Sequence, residues 1–401
     1  MFRLAMPSIT LLIKTNLQQD FHHSILISVL RGLAAIQVAA AHLRAQFYPG
    51  LRGMEDPALA YQVLAFFTGF AHQAVVVFFL LSGWLVGGSL LNKLGEKGAI
   101  ASYAVDRVTR LWLVLIPAFL LTLLIGILTH EVNPTGFDFA LDNEYSVAAF
   151  AGNLFGMQDA AVARFGGNFA LWSLANEFWY YVLFPLCLLG LYKGKLRRRV
   201  AAVAASIVIC GLLSGSLVLY FSIWLLGALF SRLRIDMGAA PRTVLVLVLL
   251  GVSVFFRLTG SNDLLTPNSF WQDLVFSLLF MTLLSSLQFH PNPSNRLVQG
   301  AKRAGPVFAA FSFTLYVVHV PLIFFFQIKL APLIGTKLAP DDAVHMGIYA
   351  TMLLVILLFA WLFHLPFEAQ TNRVRGWIKG WMFNRALALA EKRSASGKQG
   401  A

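Results

Sequence analysis

Long apolar runs alternate with short polar segments along nearly the whole chain. A helix that crosses the hydrocarbon core of a membrane needs about twenty apolar residues, and ten runs reach or approach that length. The pattern therefore predicts an all-α, polytopic membrane helix bundle of about ten transmembrane helices. The predicted spans are 25–43, 70–91, 111–129, 171–190, 200–216, 217–231, 243–259, 270–288, 307–328 and 346–366.

The spans between residues 200 and 260 are short for a full crossing. A tilted helix, a re-entrant segment or a miscounted pair in this region would change the number of spans without changing the class of protein. Around the spans we expect a cytoplasmic lead over residues 1–24 that is interfacial or disordered. The membrane domain then covers 25–368, and a basic tail over 369–401 is expected to lie on anionic lipid headgroups.

Lysine and arginine are distributed unevenly between alternate loops, which predicts the orientation of the chain. The loops that we assign to the outer face hold few cations, and the long loop 130–170 among them is acidic. Both termini are predicted to be cytoplasmic. The cations on the outer face are Arg44, Arg52, Arg164, Arg257, Lys329 and Lys337.

Composition supports the membrane class and removes several others. The 401 residues are 58% hydrophobic and 12% charged, far from the balance of a soluble domain. The formal net charge of +13 is spread over short loops, so a nucleic acid partner is not indicated. Cys187 and Cys210 lie inside apolar runs, and the His, Cys and carboxylate residues lack metal-ligand spacing, so no metal site is expected.

Two predicted spans carry polar stripes. Arg31 and His42 are eleven residues apart, which places them on nearly the same helix face with about 16 Å between them. Ser312, Tyr316 and His319 follow the i, i+4, i+7 spacing of one face of the ninth span. The structural alternatives are that Arg31 snorkels to the lipid headgroups, that His42 is a polar residue with satisfied hydrogen bonds, and that the second stripe forms helix-helix hydrogen bonds.

Arg107 and Arg110 stand three residues apart at the start of the third span. Two adjacent guanidinium groups suit a phosphate ligand arriving from the cytoplasm, because arginine binds phosphate through paired hydrogen bonds. An ordinary positive anchor at the membrane surface explains the same two charges. Spacing alone does not choose between these interpretations.

Glu177 lies inside the fourth span, with Ser173 one turn before it and Tyr180 and Tyr181 one turn after it. An ionisable residue within a span is costly and marks a functional site by default, although pairing with an arginine to join two helices is the alternative.

Other ionisable residues receive structural interpretations. Glu368, close to Arg373 and Arg375, is expected to close a cytoplasmic salt-bridge cluster. Five histidines near span ends are interpreted as solvated imidazoles: His72, His130, His290, His345 and His364.

Six segments in order resemble the acyltransferase family 3 membrane proteins, which include O-acetyl and other O-acyl transferases acting on polysaccharides, lipids and antibiotics. The resemblance covers nearly the whole chain and includes the R-x10-H arrangement of Arg31 and His42 and the R-x-x-R pair of Arg107 and Arg110. The segments are RGLAAIQVAAAHL, VVVFFLLSGWLVG, SYAVDRVTRLW, LWSLANEFWYYVLFPL, SFTLYVVHVPL and HLPFEAQ.

The resemblance implies a multi-pass protein of the bacterial inner membrane that takes acyl-CoA, with acetyl as the expected acyl group, from the cytoplasm. The implied acceptor is a hydroxyl of a carbohydrate or glycolipid at the outer face, and polysaccharide assembly proteins are possible partners. In this hypothesis Arg107 and Arg110 hold the donor phosphates and His42 is the general base. Glu177 orients His42 or stabilises its cation, and Arg31 contacts the donor or pairs with an acid.

The residues leave three questions open. Ser82 or Ser173 could carry the acyl group covalently, so one-step transfer and a relay are both possible. Without a soluble domain after the bundle, the chain is expected to acylate its acceptor directly or to pass the acyl group to a separate protein. The alternative functions are a transporter of an ion or sugar-lipid that uses the same buried charges, and a non-catalytic scaffold.

Overall fold

The computed structural model describes residues 8–132, 138–192, 194–260, 265–292 and 294–382, apart from the side chain of Arg52. Helices dominate these residues. In chain order the elements are β1 (Ser8–Leu11), α1 (His22–Phe47), α2 (Leu59–Phe67), α3 (Ala71–Ser82), α4 (Gly88–Asn92), α5 (Ala99–Leu128), α6 (Val147–Leu154), α7 (Leu171–Leu191), α8 (Leu196–Leu212), α9 (Gly215–Phe230), β2 (Leu233–Asp236), α10 (Ala239–Thr259), α11 (Phe270–Ser286), α12 (Arg296–Ala310), α13 (Ser312–Ile334) and α14 (Ala343–His364).

Eight of the ten predicted spans coincide largely with a single helix, while the second comprises α3, a π-helical turn and α4, and the ninth is divided between α12 and α13. Among the described residues, seven helical stretches are long and apolar enough to cross a membrane. The helices α8, α9 and α11 are shorter, with 17, 16 and 17 residues. At 1.5 Å per residue such helices reach about 25 Å, less than the hydrocarbon thickness of about 30 Å. The multi-pass class is confirmed, while the number of ten crossings stays a prediction.

Two sequence expectations differ from the structure. The lead is not wholly irregular, because β1 pairs antiparallel with β2, from Ser8 opposite Asp236 to Leu11 opposite Leu233. The fold is therefore helical with one small ribbon. The ninth span does not begin at residue 307, since the backbone breaks at Phe311 between α12 and α13.

The helix α1 crosses α12 at very short distance. A Cβ atom on Gly32 would lie 2.4 Å from the Cβ of Phe308, and one on Gly305 would lie 3.0 Å from Val29 Cγ2. Glycine at these two positions removes the side chains that would otherwise separate the helices. The close crossing places α1 at the centre of the bundle, where it also packs against α3, α13 and α14.

A π-helical turn, Gly83–Gly87, joins α3 to α4 and packs backbone to backbone against α9. A Cβ on Gly83 would lie 2.0 Å from the carbonyl oxygen of Trp224, and one on Gly227 would lie 2.2 Å from that of Leu80. Small residues permit such an approach, and π turns of this kind occur frequently at functional sites. The contact fixes Ser82, the last residue of α3, beside the indole of Trp224.

Loop contacts divide the bundle into two ends. At the end that bears most lysine and arginine, here called the basic end, the backbone N–H of Thr15 donates to Asn92 Oδ1 at 2.7 Å. At the opposite end the N–H of Leu338 donates to the carbonyl oxygen of Phe47 at 2.7 Å. In each pair, the two joined segments are ones that the charge distribution places on the same side of the membrane. That the basic end faces the cytoplasm stays a prediction.

Candidate active site

Two cavities contain the charged and histidine side chains of interest, one on the side of the basic end and one on the side of the opposite end. The cavity toward the basic end has a volume of about 220 Å³, and we call it the arginine cavity. The side chains that matter for its chemistry come from α1, α3, α5, α7 and α13 and are Arg31, Ser82, Arg107, Arg110, Glu177 and Tyr316. Residues that are far apart in the sequence thus share one chamber.

The second cavity opens toward the opposite end and has a volume of about 900 Å³. We call it the histidine cavity, after His42 and His72 in its wall. It also brings together Arg44 and Arg257, two of the few cations that the sequence assigns to the outer face. The two ends of the polar stripe on α1 therefore belong to different cavities, with Arg31 in one and His42 in the other.

Glu177 is held by two hydroxyl groups. Ser82 Oγ donates to Glu177 Oε1 at 2.6 Å, and the hydroxyl of Tyr181 donates to the same oxygen. Trp224 Nε1 in turn donates to Ser82 Oγ at 3.1 Å. Among the described residues no donor contacts the second oxygen, Oε2. The carboxylate is thus fixed in orientation while one oxygen is available to a ligand in the arginine cavity.

Three guanidinium groups share this cavity with the single carboxylate of Glu177. Arg107 lies over the rings of Tyr103 and Tyr181, at 5.8 and 5.6 Å from the ring centres. Arg31 and Arg110 also line the cavity, and within the described part of the chain no ion pair within 4 Å joins any of the three to Glu177. The excess of positive charge favours an anionic ligand.

His42 is paired with His319 rather than with Glu177. Their ring nitrogens, His42 Nδ1 and His319 Nε2, are 2.8 Å apart, and the rings are nearly parallel at an interplanar angle of 19°. Phe169 packs edge-on against His42, with 4.9 Å between ring centres. We expected Glu177 to orient His42, but the structure places His319 in that position.

The hydrogen bonds of this pair determine where the protons lie when both rings are neutral. His319 Nδ1 is 3.0 Å from the carbonyl oxygen of Leu315, which can only accept, so this nitrogen carries the hydrogen. His319 Nε2 must then accept from His42 Nδ1. The remaining nitrogen of His42, Nε2, is left with a free lone pair.

The remaining predicted residues of α7 and α13 are buried and hydrogen-bonded. Ser173 Oγ and the hydroxyl of Tyr316 are 2.5 Å apart, and the rings of Tyr316 and His319 are 5.8 Å apart. Ser312 Oγ donates to the carbonyl oxygen of Ala309 at 2.9 Å. The stripe on α13 therefore faces the interior and runs from the arginine cavity to the histidine pair.

Tyr180 does not take part in the contacts of Glu177. Its hydroxyl donates to the carbonyl oxygen of Leu217 at 2.9 Å, and its ring stacks on Phe221 with centres 5.3 Å apart. Of the two tyrosines one turn beyond Glu177, Tyr181 faces the cavity and Tyr180 faces α9. The place of Tyr180 is therefore structural, in the packing of α7 on α9.

The interpretation of His72 as a solvated imidazole is wrong. Its side chain is only 12% exposed, and its Nε2 lies 2.7 Å from Oδ1 of Asp273, which is 6% exposed. The hydroxyl of Tyr220 donates to Oδ2 of the same carboxylate. Asp273 is an ionisable residue inside a predicted span, so the rule that singled out Glu177 would have found it.

The cluster expected around Glu368 also has different members. Glu368 Oε2 accepts from the backbone N–H of Thr314 at 2.9 Å and from its hydroxyl at 2.7 Å. Backbone N–H groups in the first turn of a helix lack acceptors within the helix, so Glu368 supplies a hydrogen-bond acceptor at the start of α13. Arg375 pairs instead with Asp106, at 3.1 Å.

The fold and the cavities define a multi-pass helical membrane protein with ionisable residues in two internal cavities. The sequence model of a family described as an acyltransferase domain matches residues 25–365. The chain belongs to this family, acyltransferase family 3, as its motifs indicate. No curated protein and no solved structure matches the chain.

Proposed function

We propose that this protein transfers an acyl group, in the first place acetyl, from cytoplasmic acyl-CoA to a hydroxyl of a carbohydrate or glycolipid acceptor. The acceptor is presented at the outer face of a bacterial inner membrane. In this proposal the phosphate end of the donor lies at the arginine cavity, its arm extends between the helices so that the thioester reaches His42, and the acceptor lies in the histidine cavity. Family membership supports acyl transfer in general, and the two cavities supply a separate chamber for each substrate.

The observation that carries the proposal is the hydrogen-bond chain from Leu315 through His319 to His42. It leaves the Nε2 lone pair of His42 free, on a side chain that lines the histidine cavity. A general base needs such a lone pair within reach of the proton that it removes. A positioned base of this kind contributes about 10²- to 10⁴-fold to the rate.

The proposed step balances without any covalent carrier. His42 Nε2 takes the proton of the acceptor hydroxyl while the hydroxyl oxygen attacks the thioester carbonyl carbon. The carbon–sulfur bond then breaks, and the coenzyme A thiolate leaves with a proton returned from His42. The charged His42 ring keeps its Nδ1–H directed at His319 Nε2, so the intermediate cation has a hydrogen-bond partner throughout.

The charges of the arginine cavity suit the donor. Arg107 and Arg110 stand on α5 toward the basic end, where the phosphates of a cytoplasmic ligand would arrive, and Arg31 lines the same cavity from α1. Arginine suits phosphate because its planar fork presents paired donors. The apolar wall formed by Val75, Phe78 and Leu85 suits the uncharged arm of the donor.

An acyl-serine relay is the second route. The hydrogen bond of 2.6 Å from Ser82 Oγ to Glu177 is the arrangement that an activated serine nucleophile requires. Incubation with labelled acetyl-CoA in the absence of acceptor distinguishes the routes. Label that stays on the protein and is lost in Ser82→Ala would establish the relay, and its absence favours direct transfer.

The first experiment measures binding of acetyl-CoA and coenzyme A to the protein in nanodiscs at two salt concentrations. The proposal expects saturable binding that the Arg107→Gln/Arg110→Gln double variant loses and that salt weakens. Transfer of labelled acetyl to glycolipid in membrane vesicles is then compared for His42→Ala and for His290→Ala, a control histidine whose side chain is 64% exposed. Folded wild-type protein that does not bind the donor would favour the transporter, and normal transfer by His42→Ala would remove the base.

A further inference from the structure

The segment that follows α14 docks against α5 beside the two arginines of the arginine cavity. Residues 371–382 are helical. Arg375 Nε lies 3.1 Å from Asp106 Oδ1, and Lys379 Nζ lies 2.6 Å from the same oxygen. The side chains are largely covered, with Asp106 16% exposed and Arg375 25% exposed. Part of the basic tail, expected to lie on lipid, is thus attached to the catalytic bundle.

The spacing on both helices brings these cations to the cavity. Asp106 and Arg110 are four residues apart on α5, so they lie on one face of the helix, about one turn from each other. Arg375 and Lys379 have the same spacing on their own helix and both reach Asp106. The two helices therefore meet at the level where Arg107 and Arg110 line the arginine cavity.

The ion pairs that attach the segment do not account for all of the positive charge around Asp106. One carboxylate faces two cations that share a single oxygen, and Arg107 and Arg110 follow on the same helix. Burial lowers the pKa of Arg375, Asp106 raises it, and the guanidinium groups of Arg107 and Arg110 lower it further. Four cations around Asp106 repel one another, and a further anion would relieve that repulsion.

We infer that Arg375 and Lys379 bind the 3′-phosphate of the coenzyme A donor, as the outer part of a phosphate-binding cluster that also contains Arg107 and Arg110. A phosphomonoester carries a charge of about −1.5 to −2 at neutral pH, and it takes over the partners that Asp106 occupies in the free protein. Arg107 and Arg110, which reach the cavity itself, hold the diphosphate. The inference rests on the proposed function, because it assigns a second binding region to the same donor.

The test compares coenzyme A with 3′-dephospho-coenzyme A, which lacks only the phosphate in question. Dissociation constants are measured with wild-type protein in nanodiscs, where coenzyme A is expected to bind more tightly. Arg375→Gln should weaken coenzyme A binding roughly tenfold, as expected for the loss of a hydrogen bond between charged groups, and should leave the dephospho compound nearly unchanged. Arg375→Lys should recover part of the loss, because it keeps the charge.

Two further variants distinguish phosphate binding from simple anchoring. Arg373→Gln removes an exposed cation of the same segment and should leave both dissociation constants unchanged. Asp106→Asn removes the anchor while it keeps every cation. It should hold coenzyme A at least as tightly as wild type if the cations bind phosphate. Weakening by Asp106→Asn equal to that by Arg375→Gln would mean that both act by releasing the segment, and would overturn the inference.

Failure of this inference differs visibly from failure of the proposed function. Unchanged preference for coenzyme A over the dephospho compound in Arg375→Gln would refute the cluster while leaving the donor in place. Equal losses for both ligands in Arg375→Gln and Arg373→Gln would indicate an effect of total surface charge and would also refute it. No binding of either ligand to folded wild type would refute the donor itself, and the cluster with it.

Discussion

The pairing of His42 with His319 predicts that a residue with no access to the acceptor controls the rate. His319 is completely buried, and its Nε2 accepts the hydrogen of His42 Nδ1 across 2.8 Å. In His319→Ala that N–H loses its acceptor, and the His42 ring is free to change its tautomer or turn. His42 Nε2 would then no longer be held as the basic nitrogen.

The size of the effect follows from the cost of the lost contact. A buried donor without a partner costs about 1 to 3 kcal/mol, which corresponds to roughly 5- to 150-fold in rate at 1.4 kcal/mol per factor of ten. The loss should appear in kcat, since neither histidine lines the arginine cavity. The dissociation constant of coenzyme A should stay as in wild type.

The assay is transfer of labelled acetyl from acetyl-CoA to glycolipid in vesicles, with coenzyme A binding and thermal unfolding measured on the same preparations. His319→Gln should recover part of the rate, because its side-chain oxygen can accept the hydrogen of His42. His290→Ala serves as the control for loss of an exposed histidine. Wild-type kcat in folded His319→Ala would refute the orienting role of this residue.

Three other substitutions have distinct expected outcomes. Gly227→Ala places a Cβ 2.2 Å from the carbonyl oxygen of Leu80, so it should lower stability to thermal unfolding by about 1 to 3 kcal/mol; Gly211→Ala, which meets nothing within 4 Å, should not destabilise. Glu177→Gln keeps an acceptor for its two hydroxyl donors but removes the carboxylate charge. Transfer should fall at least tenfold, which corresponds to the loss of roughly one charge-assisted hydrogen bond, while coenzyme A binding is not weakened. Equal losses of transfer and of coenzyme A binding would contradict this expectation. Asp273→Asn should raise the acceptor KM without changing donor binding, since the histidine cavity alone contains this residue; an unchanged KM would exclude it from acceptor binding.

The contacts of α3 and α9 show how strongly the site depends on close helix packing. Gly83, Gly87 and Gly227 let the two backbones approach, and this approach holds Trp224 against Ser82. Ser82 in turn orients the carboxylate of Glu177. A substitution at any of these three glycines would therefore affect the arginine cavity through two hydrogen bonds, without changing a charged residue of that cavity.

The sequence was sufficient for the features that depend on local composition. Apolar runs of membrane length predicted a multi-pass helical bundle, because a helix satisfies every backbone hydrogen bond within its own segment inside a lipid bilayer. The cost of placing charge in a span identified Arg31, Glu177 and the polar face of α13 as interior residues. The ordered motifs identified the family, which the match over residues 25–365 confirms.

Only the tertiary structure decided which of these residues meet. His42 and His319 are 277 residues apart in the chain, and His72 and Asp273 are 201 apart. Helix periodicity specifies a face but not the neighbour that covers it, so Glu177 was expected beside His42 and lies with Ser82 and Tyr181. The same holds for Arg375, whose sequence neighbour Glu368 caps α13 while its partner Asp106 comes from α5. Spacing along one helix determines which side chains share a face, and the packing of distant helices determines what chemistry that face can perform.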